Sequence, residues 1–303
     1  MNLLRTILLV GAAAFPSTAT AGSVTLGTGA RVPKKNVGSV DLTKLPLGDS
    51  KTSSAPQKGS IDLCSGIPSA PNMDSDTLPW IHGNTWNLMD KVAVSGSVNW
   101  SQATFSSTVT DGTRLLAGND LPVGHSTGVF PVQAGTPAAG YRPNPSSITA
   151  HQISLSLPAN PTVNATPQCM GMEVGVTLDG VELFNGFDAQ LRDAAAQEVE
   201  DKCDGHPNQS GYHRHWIPTC FKDPGKGQSK LMGYALDGFG IYGHRGPHGK
   251  VMTNADLDAC HGTTSKVMWN GKKVRMYHYV ATWEFPYTVG CFRGTPAVHG
   301  PAF

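Results

Sequence analysis

Apolar and polar residues alternate in three stretches of the chain. They are Val92-Ala-Val-Ser-Gly-Ser-Val-Asn-Trp100, Thr104-Phe-Ser-Ser-Thr-Val-Thr110 and His151-Gln-Ile-Ser-Leu-Ser-Leu157. A period of two residues predicts half-buried strands, one face on a core and the other in water. Asp111-Gly112 separates the second stretch from Thr113-Arg-Leu-Leu116, and Asp-Gly suits a tight hairpin turn with positive φ at both central residues. Residues 118–147 are dense in Gly, Pro, Asn and Ser and predict a long surface loop, which carries His125. Only residues 188–202 read as a clear helix, with good helix formers throughout and Asp188 as the N-cap.

The pattern then repeats. Gly175-Val-Thr-Leu-Asp-Gly-Val-Glu-Leu-Phe-Asn185 aligns without gaps on Gly233-Tyr-Ala-Leu-Asp-Gly-Phe-Gly-Ile-Tyr-Gly243. Cys203-x-Gly205 answers Cys260-x-Gly262, Tyr212-His213 answers Tyr277-His278, and Cys220 answers Cys291. Residues 175–220 and 233–291 are therefore two copies of one β-hairpin module, too few and too long for a solenoid. A duplicated pair is expected to pack about a pseudo-two-fold axis, with the two Tyr-His segments close together. The predicted fold is mainly β, a β-rich α+β class of antiparallel sheets with long loops, one helix and this duplicated hairpin.

Composition agrees. Of 303 residues, 35 are Gly and 22 are Pro, while only 15% are charged, which favours strands and loops over helices. With 23 basic and 22 acidic side chains there is no basic stripe for nucleic acid. Residues 1–21 read as a signal peptide, with Arg5, an apolar run over 7–15, and the small-x-small site Ala19-Thr-Ala21. That run is too short to span a bilayer as a helix, and no other run is long enough. Residues 22–60 read as a flexible leader, and 61–303 as the folded domain. The expectation is a secreted or periplasmic protein without a transmembrane segment after signal removal.

An oxidising compartment makes Cys64, Cys169, Cys203, Cys220, Cys260 and Cys291 candidates for three disulfides. The repeat favours Cys203–Cys220 and Cys260–Cys291, leaving Cys64–Cys169, with crossed pairing between the modules as the rival. No Cys-x-x-Cys favours metal ligation by cysteine.

Candidate chemistry gathers on histidine. His213-Arg-His215 lies in a segment read as a strand, where residues two apart share a face. Two imidazoles on one face form a chelating pair for Zn or Cu, with Tyr212 and Arg214 opposite. His206 would be held nearby by a Cys203–Cys220 link. His278 is a further candidate because the repeat equates it with His213, and His261 and Asp204 share one column of the repeat. The competing reading makes each of these histidines a hydrogen-bonded core or surface residue, and Tyr277 and Tyr279 structural. Asp179 and Asp237 could supply an acid, but the Leu-Asp-Gly turn alone explains both. Cys169-Met-Gly-Met172 offers thioethers for Cu(I), against the simpler reading of core filling. Gly-x-Ser-x-Gly, His-Glu-x-x-His and the phosphate-binding Gly loop are all missing.

At these residues the chain resembles the YHYH-domain family, named for a Tyr-His-Tyr-His motif. The resemblance rests on Gly205-His-Pro207, Tyr212-His-Arg-His215, Gly233 to Gly243, Leu257-Asp-Ala-Cys-His-Gly262 and Phe285 to Gly294, over roughly residues 115–295. Arg214 replaces the motif's second Tyr, and Val280 replaces the last His of the second copy. The resemblance implies an exported, disulfide-containing domain and brings no established reaction or partner. The leading expectation is divalent metal binding by His213 and His215, with His278 and His206 completing the shell. It requires the nitrogens of 213, 215 and 278 to converge within about 4–5 Å, since each Zn–N bond is about 2.0–2.1 Å. The alternatives are a disulfide-stapled binding or structural module without metal, and a metal-dependent hydrolase, for which no general base stands out.

Overall fold

The computed structural model describes residues 35–64, 78–141, 143–209, 211–222 and 226–297. The signal segment 1–21 lies outside the described residues. Alternation gives the first sheet, an antiparallel set of β1 (Phe105–Thr110), β2 (Thr113–Gly118) and β3 (Ile153–Pro158), with β2 central. The β1–β2 turn has φ of 49° at Asp111 and 79° at Gly112, as its sequence predicts. In β3 buried and exposed residues alternate strictly, and Ile153, Leu155 and Leu157 join the main core. The stretch 92–100 is not a strand. Val94 bridges Asp201 and Val98 bridges Thr127, so its apolar residues are spent on two separate partners.

The duplicated modules build an eight-stranded sheet. The first contributes β4 (Glu173–Thr177), β5 (Glu182–Phe184), β6 (Gly205–Pro207) and β7 (Tyr212–Arg214). The second contributes β8 (Leu231–Ala235), β9 (Gly240–Tyr242), β10 (Gly262–Trp269) and β11 (Lys272–Val280). The spatial order is β6-β7-β5-β4-β8-β9-β11-β10, a palindrome in module terms. At its centre β4 and β8 run antiparallel, pairing Gly175 with Ala235, Val176 with Tyr234 and Thr177 with Gly233. Val176 and Tyr234 are equivalent positions of the repeat, so the pseudo-two-fold axis passes through that pair. Outward, β5 and β7 pair in parallel, Leu183 with Arg214, just as β9 and β11 pair Ile241 with Tyr279. The same axis corrects the expectation that the Tyr-His segments meet. β7 and β11 lie on opposite flanks with four strands between them, about 24 Å at about 4.8 Å per strand.

Both Leu-Asp-Gly turns have Gly at positive φ, 82° at Gly180 and 88° at Gly238, after a backbone bond closing three residues back. A Cβ at either site would also clash with the first sheet, against Phe105 and Pro158 respectively. Asp179 and Asp237 then turn inward. Asp179 accepts both Nη atoms of Arg214 at 2.8 Å, and Asp237 accepts the Tyr279 hydroxyl at 2.6 Å. The disulfides are Cys64–Cys169, Cys203–Cys220 and Cys260–Cys291, the set the repeat favours.

Two expectations fail here. The helix predicted over 188–202 is a single turn, α1 (Ala194–Gln197). Asp188 captures the backbone N–H groups of Gln190 and Arg192, and Leu191 takes φ of 58°. Side-chain bonds of this kind compete with the helical ladder. Residues 35–60, expected within a flexible leader, pack on the body. Leu42 and Leu45 are buried, Gly48 N–H donates to Asp193, and the Ser50 and Leu88 amides bond to Leu191 and Leu42 carbonyls. Scattered single apolar residues carry this packing, which is why no period announces it.

Candidate metal centre

The site forms where α1 ends and the first module turns back. Asp201 Oδ1 accepts the Cys203 N–H at 2.8 Å and faces that of Gly205 at 3.4 Å, and Asp204 adopts φ of 59°. This turn delivers the chain into β6 in the register that sets His206 directly opposite His213. His215 follows β7. Tyr212 and Arg214 point to the other side, the first bonding Asp201 at 2.9 Å and the second Asp179. The one-face reading of His213 and His215 therefore holds.

The three imidazoles are at most 5% exposed. Their ring centroids are 4.4 Å (206–213), 5.1 Å (213–215) and 5.4 Å (206–215) apart. Each offers a nitrogen such that all three atoms lie within 4.8 Å of one another, so the trio could hold a metal ion. Phe184 stacks on His213 at 4.2 Å and closes one side. His215 Nδ1 donates to the Asn185 carbonyl at 2.7 Å and His213 Nδ1 to the Gly211 carbonyl at 3.3 Å. Such bonds fix the rings and leave each Nε2 with its electron pair.

Glu198, at the end of α1, completes the group. Its Oε2 lies 2.8 Å from His206 Nε2 and 3.3 Å from His215 Nε2. These three atoms are buried, and none has a partner at hydrogen-bond angles, so they approach one another without satisfying one another. Burial alone would raise the Glu198 pKa, but the His206 and His215 imidazoles against it hold it well below the ordinary value. His215 shows the converse. Burial lowers its affinity for a proton, and Glu198 more than restores it, so it titrates above an ordinary histidine. For His213, burial followed by its two imidazole neighbours pushes the pKa well down.

The other expected site residues lie elsewhere. His278 is on the far flank, its Nδ1 against the Met276 carbonyl at 3.1 Å and its ring 5.1 Å from Tyr242. It therefore does not meet the convergence test with His213 and His215, and His206 takes that place. His261 is buried against Thr282 at 3.0 Å, and burial lowers its pKa to about 3. Tyr277 bonds Asp258 at 3.1 Å, as Tyr212 bonds Asp201. Asp237 is consumed by Tyr279 and the N–H groups of Phe239 and Gly294. His125 stacks on Phe221 at 5.2 Å beside Cys203 and Cys220, whose sulfurs are bonded to each other and so are not free ligands. Met170 is core, and Met172 Sδ faces Asn185.

Sequence reasoning missed Glu198 and Asn144. Glu198 was hidden inside the apparent helix. Asn144 sits in the Pro-rich loop and sends its Nδ2 to the Pro207 carbonyl at 2.6 Å and to His206 Nδ1 at 3.2 Å. Pro-Asn-Pro at 143–145 was the available signal, an amide held between two rigid residues.

Fold and site together define a disulfide-stapled β-protein with a buried imidazole cluster in one of two equivalent modules. Residues 154–250 match the family model described as YHYH protein. The match covers the whole His cluster and the hairpin of the second module, and stops before His278. No curated protein and no solved structure matches the chain.

Proposed function

We propose that this chain is an exported metal-binding module whose ion, Zn or Cu, is anchored by Nε2 of His213 and His215, with His206 and Glu198 beside it. The observation that carries this reading is the group of buried, unsatisfied atoms: His206 Nε2 and His215 Nε2, 2.8 and 3.3 Å from Glu198 Oε2. Buried polar atoms are normally paired, and a cation among them would satisfy the two that offer it an electron pair, His215 Nε2 and Glu198 Oε2. Imidazole with carboxylate is a donor set for Zn or Cu, whereas Ca and Mg take mainly oxygen. When bound, such an ion supplies a Lewis acid. Export is supported by the signal-like residues 1–21 and by three disulfides. No helix among the described residues is long and apolar enough to cross a membrane. The folded unit of this proposal begins by residue 35, earlier than the sequence suggests.

The test is the metal content, by mass spectrometry, of untagged mature protein beside the His213→Ala/His215→Ala double variant. About one equivalent of Zn or Cu is expected, lost in the variant while the circular dichroism spectrum persists. A folded wild type that holds no metal and takes none up would leave the cluster as structure and turn attention to binding partners.

A further inference from the structure

We infer that His206 differs in role from the two histidines beside it: Asn144 holds it in the tautomer that carries its proton on Nε2, so it faces the metal position as a hydrogen-bond donor. This rests on the metal-binding reading for its meaning, though not for its measurement.

A carbonyl oxygen only accepts hydrogen bonds. The contacts of His213 and His215 with the Gly211 and Asn185 carbonyls therefore put a hydrogen on each Nδ1, and in the neutral form of each ring the electron pair is on Nε2. His206 has the opposite neighbour. Its Nδ1 meets the Asn144 amide nitrogen at 3.2 Å. The orientation of that amide follows from two other bonds, not from this one. Asn144 Nδ2 donates to the Pro207 carbonyl at 2.6 Å, and Asn144 Oδ1 accepts the Ser146 N–H at 2.9 Å. Flipping the amide would set oxygen against oxygen and N–H against N–H. Asn144 thus presents a donor, His206 Nδ1 accepts, and the hydrogen of the neutral ring is on Nε2. Glu198 Oε2 lies 2.8 Å from that nitrogen, off the line of its hydrogen bond.

The three imidazoles are then two ligands and one proton carrier. With the ion on His213 and His215, the His206 Nε2–H and the Glu198 carboxylate form an acid and base pair next to it. Glu198 is then a candidate for the general base that the sequence did not reveal for a hydrolytic site. Asn144 is a positioning residue, since it acts only through His206.

The experiment is two-bond 1H–15N NMR of the full mature chain, labelled with 15N-histidine and stripped of metal. Loss of signals in His206→Gln, His213→Gln and His215→Gln assigns the rings. His206 is expected to carry its proton on Nε2, and the other two on Nδ1. Asn144→Asp replaces the donor by an acceptor and should move the His206 proton to Nδ1. The freed Nε2 becomes a further ligand, and Co(II) affinity should rise about tenfold, the usual scale for a partner of a metal-binding imidazole. Asn144→Ala, with no repulsion against the Pro207 carbonyl, is the safer variant for folding and should leave a mixture of tautomers. A proton on Nδ1 of His206 in the wild type overturns the assignment, as does a tautomer unmoved in both variants. Failure of Co(II) to bind any form overturns the metal-binding reading and leaves the tautomer result to be judged by itself.

Discussion

The two modules share a backbone and part company at the site. In each, an Asp two residues before a Cys gathers the turn and a Tyr hydroxyl: Asp201 with Tyr212, and Asp258 with Tyr277. A disulfide follows in each, and an Asp from the Leu-Asp-Gly turn anchors the strand beyond. Yet the register that aligns His206 with His213 in the first module aligns Thr263 with His278 in the second, and His215 becomes Val280. The second module keeps its fold without an imidazole cluster. The cluster is therefore not a requirement of the scaffold, and three buried histidines beside a carboxylate need another explanation.

The largest effect should come at Arg214, where the modules solve one problem in two ways. Arg214 and Asp179 form a buried bidentate pair, while the equivalent Tyr279 reaches Asp237 through a hydroxyl. Arg214→Ala strands a buried carboxylate and should cost about 3–5 kcal/mol in urea denaturation. Arg214→Tyr, the residue of the second module, should recover most of that loss. If both variants unfold alike, the modules are not interchangeable at this point.

Next in size is an exchange of site chemistry. His206→Thr with His215→Val gives the first module the second module's residues and should weaken Co(II) or Zn(II) binding at least about a hundredfold. Stability should fall by only about 1 kcal/mol, chiefly for the Asn185 carbonyl left unpaired. Retention of metal by this variant would place the ion elsewhere.

The smallest effect is one of pH. The bridge Phe187–Asp193 in the first module corresponds to Arg245–Val251 in the second, so only the first has a buried acid there. Burial lifts the Asp193 pKa to about 7, although the Tyr287 hydroxyl and Gly48 N–H oppose the shift. Asp49 and Lys91 are the neighbouring charges. The folded protein then binds this proton more tightly than the unfolded chain, whose pKa is near 3.8. The contribution to stability is complete below about pH 4 and lost as pH rises through about 7. Asp193→Asn should flatten the fall in stability between those values, and an unchanged profile would assign the slope to other carboxyl groups.

Much of this comparison is legible in the sequence, because it is written in spacing. The Leu-Asp-Gly turns, the cysteine pairs and the His-x-His face all follow from local rules about φ, loop closure and strand period. The position of His278 was not legible, because equivalence in a repeat says nothing about distance across the axis. Glu198 was hidden for a different reason. Residues 188–202 have helical propensity, but buried Asp188 and Asp193 spend their carboxylates on backbone and tyrosine hydrogens, and tertiary bonding overrides propensity. Asn144 reaches His206 across 62 residues, and no local pattern reports such a contact.

The connectivity of the disulfides has a consequence for biogenesis. Each cysteine is joined to the next one along the chain, 64 to 169, 203 to 220, and 260 to 291, with no bridge enclosing or crossing another. A polypeptide threaded N-terminus first into an oxidising compartment exposes its thiols in that same sequence. A thiol oxidant that links each newly arrived cysteine to the one still waiting produces the native set directly, without a step of reshuffling.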